Sequence, residues 1–144
     1  MTSAADAAAM IAALELAPHP EGGWYRETWR APALESGGRS QATAILFLLE
    51  AGQGSHWHRV DASELWLFQA GTPLELRVSD QSGQSDAVIL GADPLAGHIP
   101  QHLVPPHAWQ SARASTAGWA LVACVVVPGF EFSGFEMAPA GWAP

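Results

Sequence analysis

The sequence contains no lysine and few charged residues of any kind, and these shortages exclude whole classes of function. Only 14% of its 144 residues are charged, with fourteen aspartates and glutamates against six arginines, for a formal net charge of −8. Nucleic acids and anionic membrane surfaces both bind clustered basic residues, so neither is expected as a partner. Apolar residues make up 49% of the chain, which is typical of a globular protein.

Cysteine and long apolar runs are equally scarce. The single cysteine, Cys124, lies in the run ALVACVVV, so no disulfide can form within the chain and a buried thiol is expected. No apolar run approaches the roughly 20 residues of a membrane span, and no charged-then-apolar leader begins the sequence. We therefore expect a cytoplasmic protein with one domain over residues 1–144.

The N-terminal segment is predicted to be the only helix, and the rest of the chain to be strands. Residues 3–16 are alanine-rich, and Ser3 and Asp6 have the spacing of a capping box. We place the helix within residues 1–17 and a body of strands with a C-terminal tail at 18–137. Short apolar segments separated by Gly and Pro favour an antiparallel sandwich or barrel. The predicted strands are 23–30, 41–50, 55–60, 64–70, 73–79, 87–90, 98–105, 108–114 and 119–128, with a hairpin loop at 80–86.

The stretch SHWHRVDASELWLFQAG, residues 55–71, carries the strongest chemical signal. Side chains at positions i and i+2 of a strand share a face, so His56 and His58 are expected to point the same way. Glu64 would return beside them on the neighbouring strand. Imidazole and carboxylate groups are suitable ligands for zinc, iron, manganese or nickel. A histidine pair is also common in an ordinary barrel wall, so a metal site and a structural role both stay open.

This stretch resembles the first motif of the cupins, in which a histidine pair, a glutamate and a glycine follow one another. Glu64 and Gly71 match the end of that motif, although the interval from His58 to Glu64 is longer than usual. The second cupin motif matches PPHAWQ. In that match His107 takes the place of a glycine and Gln110 takes the place of the last ligand histidine.

A narrower resemblance, to a small cupin family of uncharacterised function, covers residues 18–137. It rests on HPEGGWY, HRVDASELW, GTPLEL, VPPHAWQ and PGFEFSGFEM, which occur in that order. The resemblance implies an all-β fold, the double-stranded β-helix or cupin jelly roll, here with a short N-terminal α-helix. It also implies a homodimer, and it implies no known substrate.

Under this resemblance the candidate site residues divide by role. The candidates for acid–base catalysis are His58, Glu64 and Tyr25, because sugar-nucleotide epimerases of this fold pair a histidine with a tyrosine. The candidates for ligand binding are Glu21, Arg59, Trp66, Trp109 and Gln110. A divalent metal would be held by His56, His58, Glu64 and Gln110.

Three functions are compatible with these residues. The first is binding of a small polar metabolite, sugar-like or nucleotide-sugar-like, in the barrel mouth, with isomerase or epimerase chemistry on it. The second is a non-catalytic dimer that binds or senses such a metabolite. The third is a metal-dependent cupin enzyme of the isomerase or oxygenase type, in which the metal acts as a Lewis acid or oxygen activator.

Overall fold

The computed structural model describes residues 2–80 and 84–144, and within them it has one α-helix and eleven strands. The helix is α1 (Ala4–Ala13). The strands are β1 (Ala17–Pro18), β2 (Trp24–Arg30), β3 (Thr43–Leu49), β4 (His58–Val60), β5 (Ser63–Gly71), β6 (Leu74–Ser79), β7 (Ser85–Leu90), β8 (Gln101–Val104), β9 (Trp109–Ala114), β10 (Ala120–Val127) and β11 (Phe135–Met137). Single 3₁₀ turns lie at Pro94–Ala96 and Phe132–Gly134.

The strands form two antiparallel sheets, and the chain crosses between them repeatedly. One sheet has the order β1-β2-β3-β10-β5-β8, and the other has the order β11-β4-β9-β6-β7. From β3 onward almost every connection passes from one sheet to the other, which is the jelly-roll arrangement. The prediction of an all-β jelly roll with a short N-terminal helix is confirmed. Residues 81–83 of the predicted hairpin loop lie outside the described residues, and β7 begins within that loop, at Ser85.

The main core fills the space between the two sheets. Its largest members are almost fully buried, at 1% exposure or less: Phe47, Leu49, Trp66, Leu74, Leu76, Leu90, Val104 and Val122. These residues come from both sheets and alternate along their strands with outward-facing positions, as a sandwich requires. Each large apolar side chain buried in this way stabilises the fold by roughly 1.5–3 kcal/mol relative to an exposed one.

Helix α1 covers part of the outer face of the first sheet, which explains why β3 and β10 carry apolar residues on both faces there. Ala7 of the helix packs with Leu48 of β3 and Leu121 of β10 in a second buried cluster. Strands covered on both faces have no polar side to alternate with the apolar one. The Ser3–Asp6 capping box is present, with the Ser3 hydroxyl accepting the Asp6 amide at 3.2 Å.

The helix is shorter than predicted. It ends at Ala13 rather than Leu16, because Glu15 adopts a left-handed conformation at φ 56°. That turn directs Leu16 into the cluster beneath the helix and lets Ala17 pair with Tyr25. Pro18 and Pro20 lie after this turn, so the helix has already ended before the prolines are reached.

Strand β2 lies near the edge of the first sheet and is only half covered. Strand β1 pairs with Trp24 and Tyr25 alone, so within the described residues the outer edge of β2 from Arg26 to Arg30 has no strand partner. In the same part of the chain, no helix is long and apolar enough to cross a membrane.

Candidate functional site

A cavity of about 660 Å³ lies between the two sheets. Its buried polar residues are His19, Glu21, Thr43, His58 and Glu64, and Tyr25 lines it beside them. Its apolar walls are Ile45, Val60, Val126, Phe130 and Phe135. The lining is completed at its exposed mouth by Glu15, Ala17, Arg26, Glu27, Arg30, Glu131 and Phe132. A cavity with apolar walls and a few converging polar groups is the usual form of a small-molecule site.

The HPEGG turn places Glu21 in this cavity. The His19 amide donates to the Gly23 carbonyl at 2.9 Å, and the Glu21 amide donates to His19 Nδ1 at 3.1 Å. Gly22 has φ 100°, and a Cβ there would approach the Gly54 carbonyl oxygen at 2.8 Å. Only glycine adopts this conformation at so close an approach without strain.

Glu21 and His58 form a buried pair inside the cavity. His58 Nε2 lies 2.8 Å from Glu21 Oε2, and the two side chains are 3% and 7% exposed. His58 Nδ1 lies 2.8 Å from the His56 carbonyl oxygen. A carbonyl oxygen only accepts, so Nδ1 carries a proton and Nε2 faces the carboxylate.

The surroundings of His58 keep it charged. Burial acts to lower the pKa of the ring, but the charge of Glu21 and its hydrogen bond, together with Glu64 and the His56 carbonyl, outweigh it. They raise the pKa of His58 to about 9. At neutral pH the His58 ring is therefore an imidazolium, and its Nε2–H donates to Glu21 Oε2.

A second buried chain of hydrogen bonds holds Glu64. The Trp66 indole donates to Gln110 Oε1 at 2.8 Å, and Gln110 Nε2 donates to Glu64 Oε1 at 2.7 Å. Because the indole N–H can only donate, it fixes the orientation of the Gln110 amide. Burial raises the pKa of Glu64, an effect opposed by the charge of His58. Burial and Glu64 together raise the pKa of the Cys124 thiol well above its ordinary range.

His19 is the neutral histidine of the site. Its Nδ1 accepts the Glu21 amide, so its proton lies on Nε2. Burial lowers the pKa of His19, and the charge of His58 lowers it further against the opposing effect of Glu21. The ring packs edge-on against Tyr25 at a centroid distance of 4.5 Å. Sequence reasoning did not single out His19, although its place two residues before the candidate Glu21 in HPEGG was a usable signal.

The structure brings some of the predicted residues together and leaves others apart. Glu21, Tyr25, His58 and Glu64 line the cavity, and Gln110 lies behind Glu64. The other four predicted residues lie outside the cavity lining: His56, Arg59, Trp66 and Trp109.

The two tryptophans and Arg59 have other neighbours. Trp66 is 1% exposed and lies in the main core, where it supports Gln110. Trp109 packs on Trp142 of the C-terminal tail at 4.7 Å, and Arg59 lies 4.6 Å above the Trp109 ring. Arg59 also donates to Glu136 at 2.6 Å. These contacts tie the tail to the outer side of the second sheet.

His56 turns away from the cavity because residues 55–57 are not part of a strand. Strand β4 begins only at His58, so the rule that alternate residues share a face does not extend back to His56. The His56 amide donates to the Glu21 carbonyl at 2.8 Å, and its Nε2 donates to the Ala138 carbonyl at 2.8 Å. The prediction that the two histidines point the same way fails for this reason.

The cavity residues do not fit the metal centre that a cupin resemblance implies. Across residues 2–80 and 84–144, no group of three or more His, Cys, Asp or Glu side chains is placed to hold a metal ion. Both nitrogens of His58 have partners, and Gln110 presents its amide N–H group, not its oxygen, toward Glu64. An amide N–H is a donor and has no lone pair for a metal.

Residues 8–138 match the sequence profile of the Cupin superfamily (DUF985). The chain belongs to this cupin family. The family expected from the sequence motifs is thereby confirmed. No match to this chain is found among curated proteins.

Two solved structures resemble this cupin over most of their length. A protein from Shewanella oneidensis is 39% identical, with a TM-score of 0.86, over 96% of this chain and 85% of its own. A hypothetical protein from Leishmania major is 34% identical, with a TM-score of 0.82, over 92% and 86%. Oxalate decarboxylase from Bacillus subtilis is 16% identical with a TM-score of 0.63, and the match covers 83% of this chain and 29% of the decarboxylase. The decarboxylase shares the fold alone.

Proposed function

We propose that this cupin binds a small polar metabolite, sugar-like or nucleotide-sugar-like, in the cavity and exchanges a proton with it, as an isomerase or epimerase does. The observation that carries the proposal is the Glu21–His58 pair, which is buried and lines a cavity of suitable size. Buried charged pairs in clefts mark functional sites more often than ordinary core positions.

The proton between Glu21 and His58 is the one available for transfer. Glu21 is the more exposed partner and faces the ligand, while His58 holds or releases the proton through Nε2. Glu64 adds a second negative group near the ring, which favours the imidazolium. Tyr25 lines the same cavity and supplies the second proton-carrying group that an epimerisation needs.

The same geometry supports a second candidate, a binding protein without turnover. Both ring nitrogens of His58 already have partners, which holds the ring rigidly in place. A rigid pair of this kind binds a hydroxyl group well even when no proton moves.

Solvent exchange distinguishes the two candidates. The protein is incubated in D₂O with a panel of aldoses, ketoses, their phosphates and nucleotide sugars, and each compound is followed by proton NMR. Deuterium incorporation at a carbon-bound hydrogen, lost in Glu21→Gln and in His58→Gln, would support proton transfer. His102→Gln, on β8 outside the cavity lining, is the matched control and should retain the exchange.

Binding without exchange would favour the non-catalytic candidate. Absence of both binding and exchange across the panel would overturn the proposal.

A metal-dependent function requires a different arrangement of the same residues, because His58 Nε2 would have to leave Glu21 to bind an ion. Elemental mass spectrometry of the tag-free protein tests it, with His58→Ala for comparison. One equivalent of zinc, iron, manganese or nickel that is lost in the variant would replace our proposal by that one. The homodimer stays a prediction, which multi-angle light scattering would test.

A further inference from the structure

The cavity also indicates which ligands it selects. We infer that, of the two ligand classes proposed above, it selects the uncharged sugar-like one, through an oxygen that accepts a hydrogen bond from His19 Nε2–H, and disfavours the anionic nucleotide-sugar-like one and other phosphates. This inference rests on the proposed function, since it assumes that the cavity binds a ligand.

The cationic groups of the cavity are already neutralised. Arg30 donates from Nε and Nη2 to the two Glu27 oxygens, each at 2.8 Å. Arg26 pairs with Glu15 at 3.0 Å, and His58 pairs with Glu21.

Carboxylates outnumber these cations. Five glutamates line the cavity against two arginines and the His58 imidazolium: Glu15, Glu21, Glu27, Glu64 and Glu131. A bound phosphate would gain no unpaired cation and would approach carboxylates in a partly dehydrated space, where like charges repel strongly. The lining therefore favours neutral over anionic ligands.

His19 contributes a hydrogen-bond donor to the residues that line the cavity. Its side chain is 6% exposed and lines the cavity, and Nδ1 is occupied by the Glu21 amide. In the described part of the chain no hydrogen bond from Nε2 is present. Among the described residues the only fully buried side-chain N or O atom without a partner is Trp119 Nε1, so His19 Nε2 is an accessible donor that a ligand oxygen can reach. The neutral ring donates this bond without adding charge.

The remaining walls suit an apolar face on the ligand. Phe135 stacks on His58 at a centroid distance of 5.4 Å and an interplanar angle of 29°. Phe130 packs edge-on against Phe132, which lines the exposed mouth. A ring-shaped molecule with one polar edge would fit between these aromatic side chains and the Glu21–His58 pair.

Three probes of nearly identical shape separate these features. Benzamide is neutral and has an acceptor oxygen, benzoate is its anionic counterpart, and benzamidine is cationic and has no oxygen. Their affinities for the full chain are measured by protein-observed NMR at neutral pH. We use wild type, His19→Phe, which retains an aromatic ring beside Tyr25, and His19→Gln, which retains a donor.

We expect benzamide to bind at least about tenfold more tightly than benzoate, as one unfavourable charge contact implies. Its affinity should fall about tenfold in His19→Phe, the effect of one hydrogen bond, and fall less in His19→Gln. Benzamidine affinity should not change in His19→Phe. In wild type, long-range ¹H–¹⁵N spectra should show Nε2–H of His19 shifting on addition of benzamide, a readout that needs no variant.

Benzoate binding as tight as benzamide binding would overturn the charge argument. Benzamide binding that is indifferent to His19→Phe, with an unshifted Nε2–H, would overturn the role of His19. Failure of all three probes to bind at their solubility limits would overturn the whole inference. If benzamide binds as expected but no metabolite exchanges deuterium, proton transfer fails while the ligand preference stands.

Discussion

Replacing Glu21 by glutamine removes the charge that keeps His58 protonated. The amide that replaces the carboxylate can still donate to Nε2, so the packing of the cavity is preserved. Burial is the largest single influence on the pKa of His58. Without the Glu21 charge to offset it, burial lowers that pKa. We expect a neutral ring in Glu21→Gln at pH values where the wild-type ring is charged.

The size of the effect follows from the raised pKa. A rise from 6.5 to about 9 corresponds to about 3 kcal/mol in favour of the charged ring in the folded state. Because the folded pKa is the higher one, this stability is fully present below pH 6.5 and is lost as pH rises through about 9. The free energy of unfolding of the wild type should fall by about 2 kcal/mol between about pH 6 and about pH 8.5 through this group.

Urea denaturation at a series of pH values measures this slope. Wild type and Glu21→Gln are compared over the same interval. Burial raises the pKa of the Cys124 thiol in the folded state, and its ionisation in the unfolded chain near the upper end of the interval contributes equally to both proteins. The difference between their slopes isolates His58 from groups that titrate in both proteins. Histidine NMR signals followed over the same range give the pKa of the ring directly.

The matched control is Glu27→Gln, which breaks the exposed pair with Arg30 at the cavity mouth. Exposed ion pairs contribute about 0–1 kcal/mol, and this one does not involve His58, so the slope should stay that of wild type. Equal slopes in wild type and Glu21→Gln would refute the reasoning. So would a His58 pKa near 6.5 in the wild type.

Four further substitutions, two at glycines outside the cavity and two in the hydrogen-bond chain of Glu64, are tested by the same urea assay. Gly71→Ala should lower the free energy of unfolding by at least about 3 kcal/mol, because φ is 90° and a Cβ would overlap the Trp119 carbonyl. Gly97 has nearly the same φ, 89°, but lies in open space, so Gly97→Ala should lower it by about 1 kcal/mol. Equal costs would show that the overlap is relieved. Gln110→Leu should cost about 2–5 kcal/mol by leaving buried partners unsatisfied, and a neutral result would contradict that hydrogen-bond chain. Glu64→Gln should raise the free energy of unfolding at neutral pH, because burial raises the pKa of the Glu64 carboxyl and so penalises its ionised form. A lower free energy of unfolding in Glu64→Gln at neutral pH would contradict this prediction.

The strands could be predicted because their signals are local. The apolar run predicted as 41–50 becomes β3 (Thr43–Leu49), and 119–128 becomes β10 (Ala120–Val127). Only the bounds differ, by a residue or two. Strand β1 has two residues and β11 has three, and both form by pairing with distant segments, so their sequences carry little signal of their own.

The position of His56 could not be predicted, because it depends on long-range contacts. Residues 55–57 are held by separate hydrogen bonds to β9, to the HPEGG turn and to the tail, such as Ser55 to Ala112 and His56 to Ala138. None of these partners is near in sequence. The residues around His56 therefore gave no sign that the alternation of side chains along a strand would not apply there.

The backbone conformation of His107 could be predicted from the family motif but not from the chemistry of histidine. It stands where the cupin motif has glycine, and it has φ 68°, the left-handed conformation that glycine adopts most easily. Its side chain lies outside the cavity lining. The backbone conformation at this position explains why the motif has glycine there.

The half-covered edge of β2 limits how the cavity mouth can be altered. An open strand edge invites pairing with another chain, and charged side chains on it oppose that pairing. Here the charges are Arg26, Glu27 and Arg30, which also line the mouth. Trp29 on the same stretch is 52% exposed and would favour self-association if those charges were removed. Engineering this rim for a new ligand therefore also puts the solubility of the protein at risk.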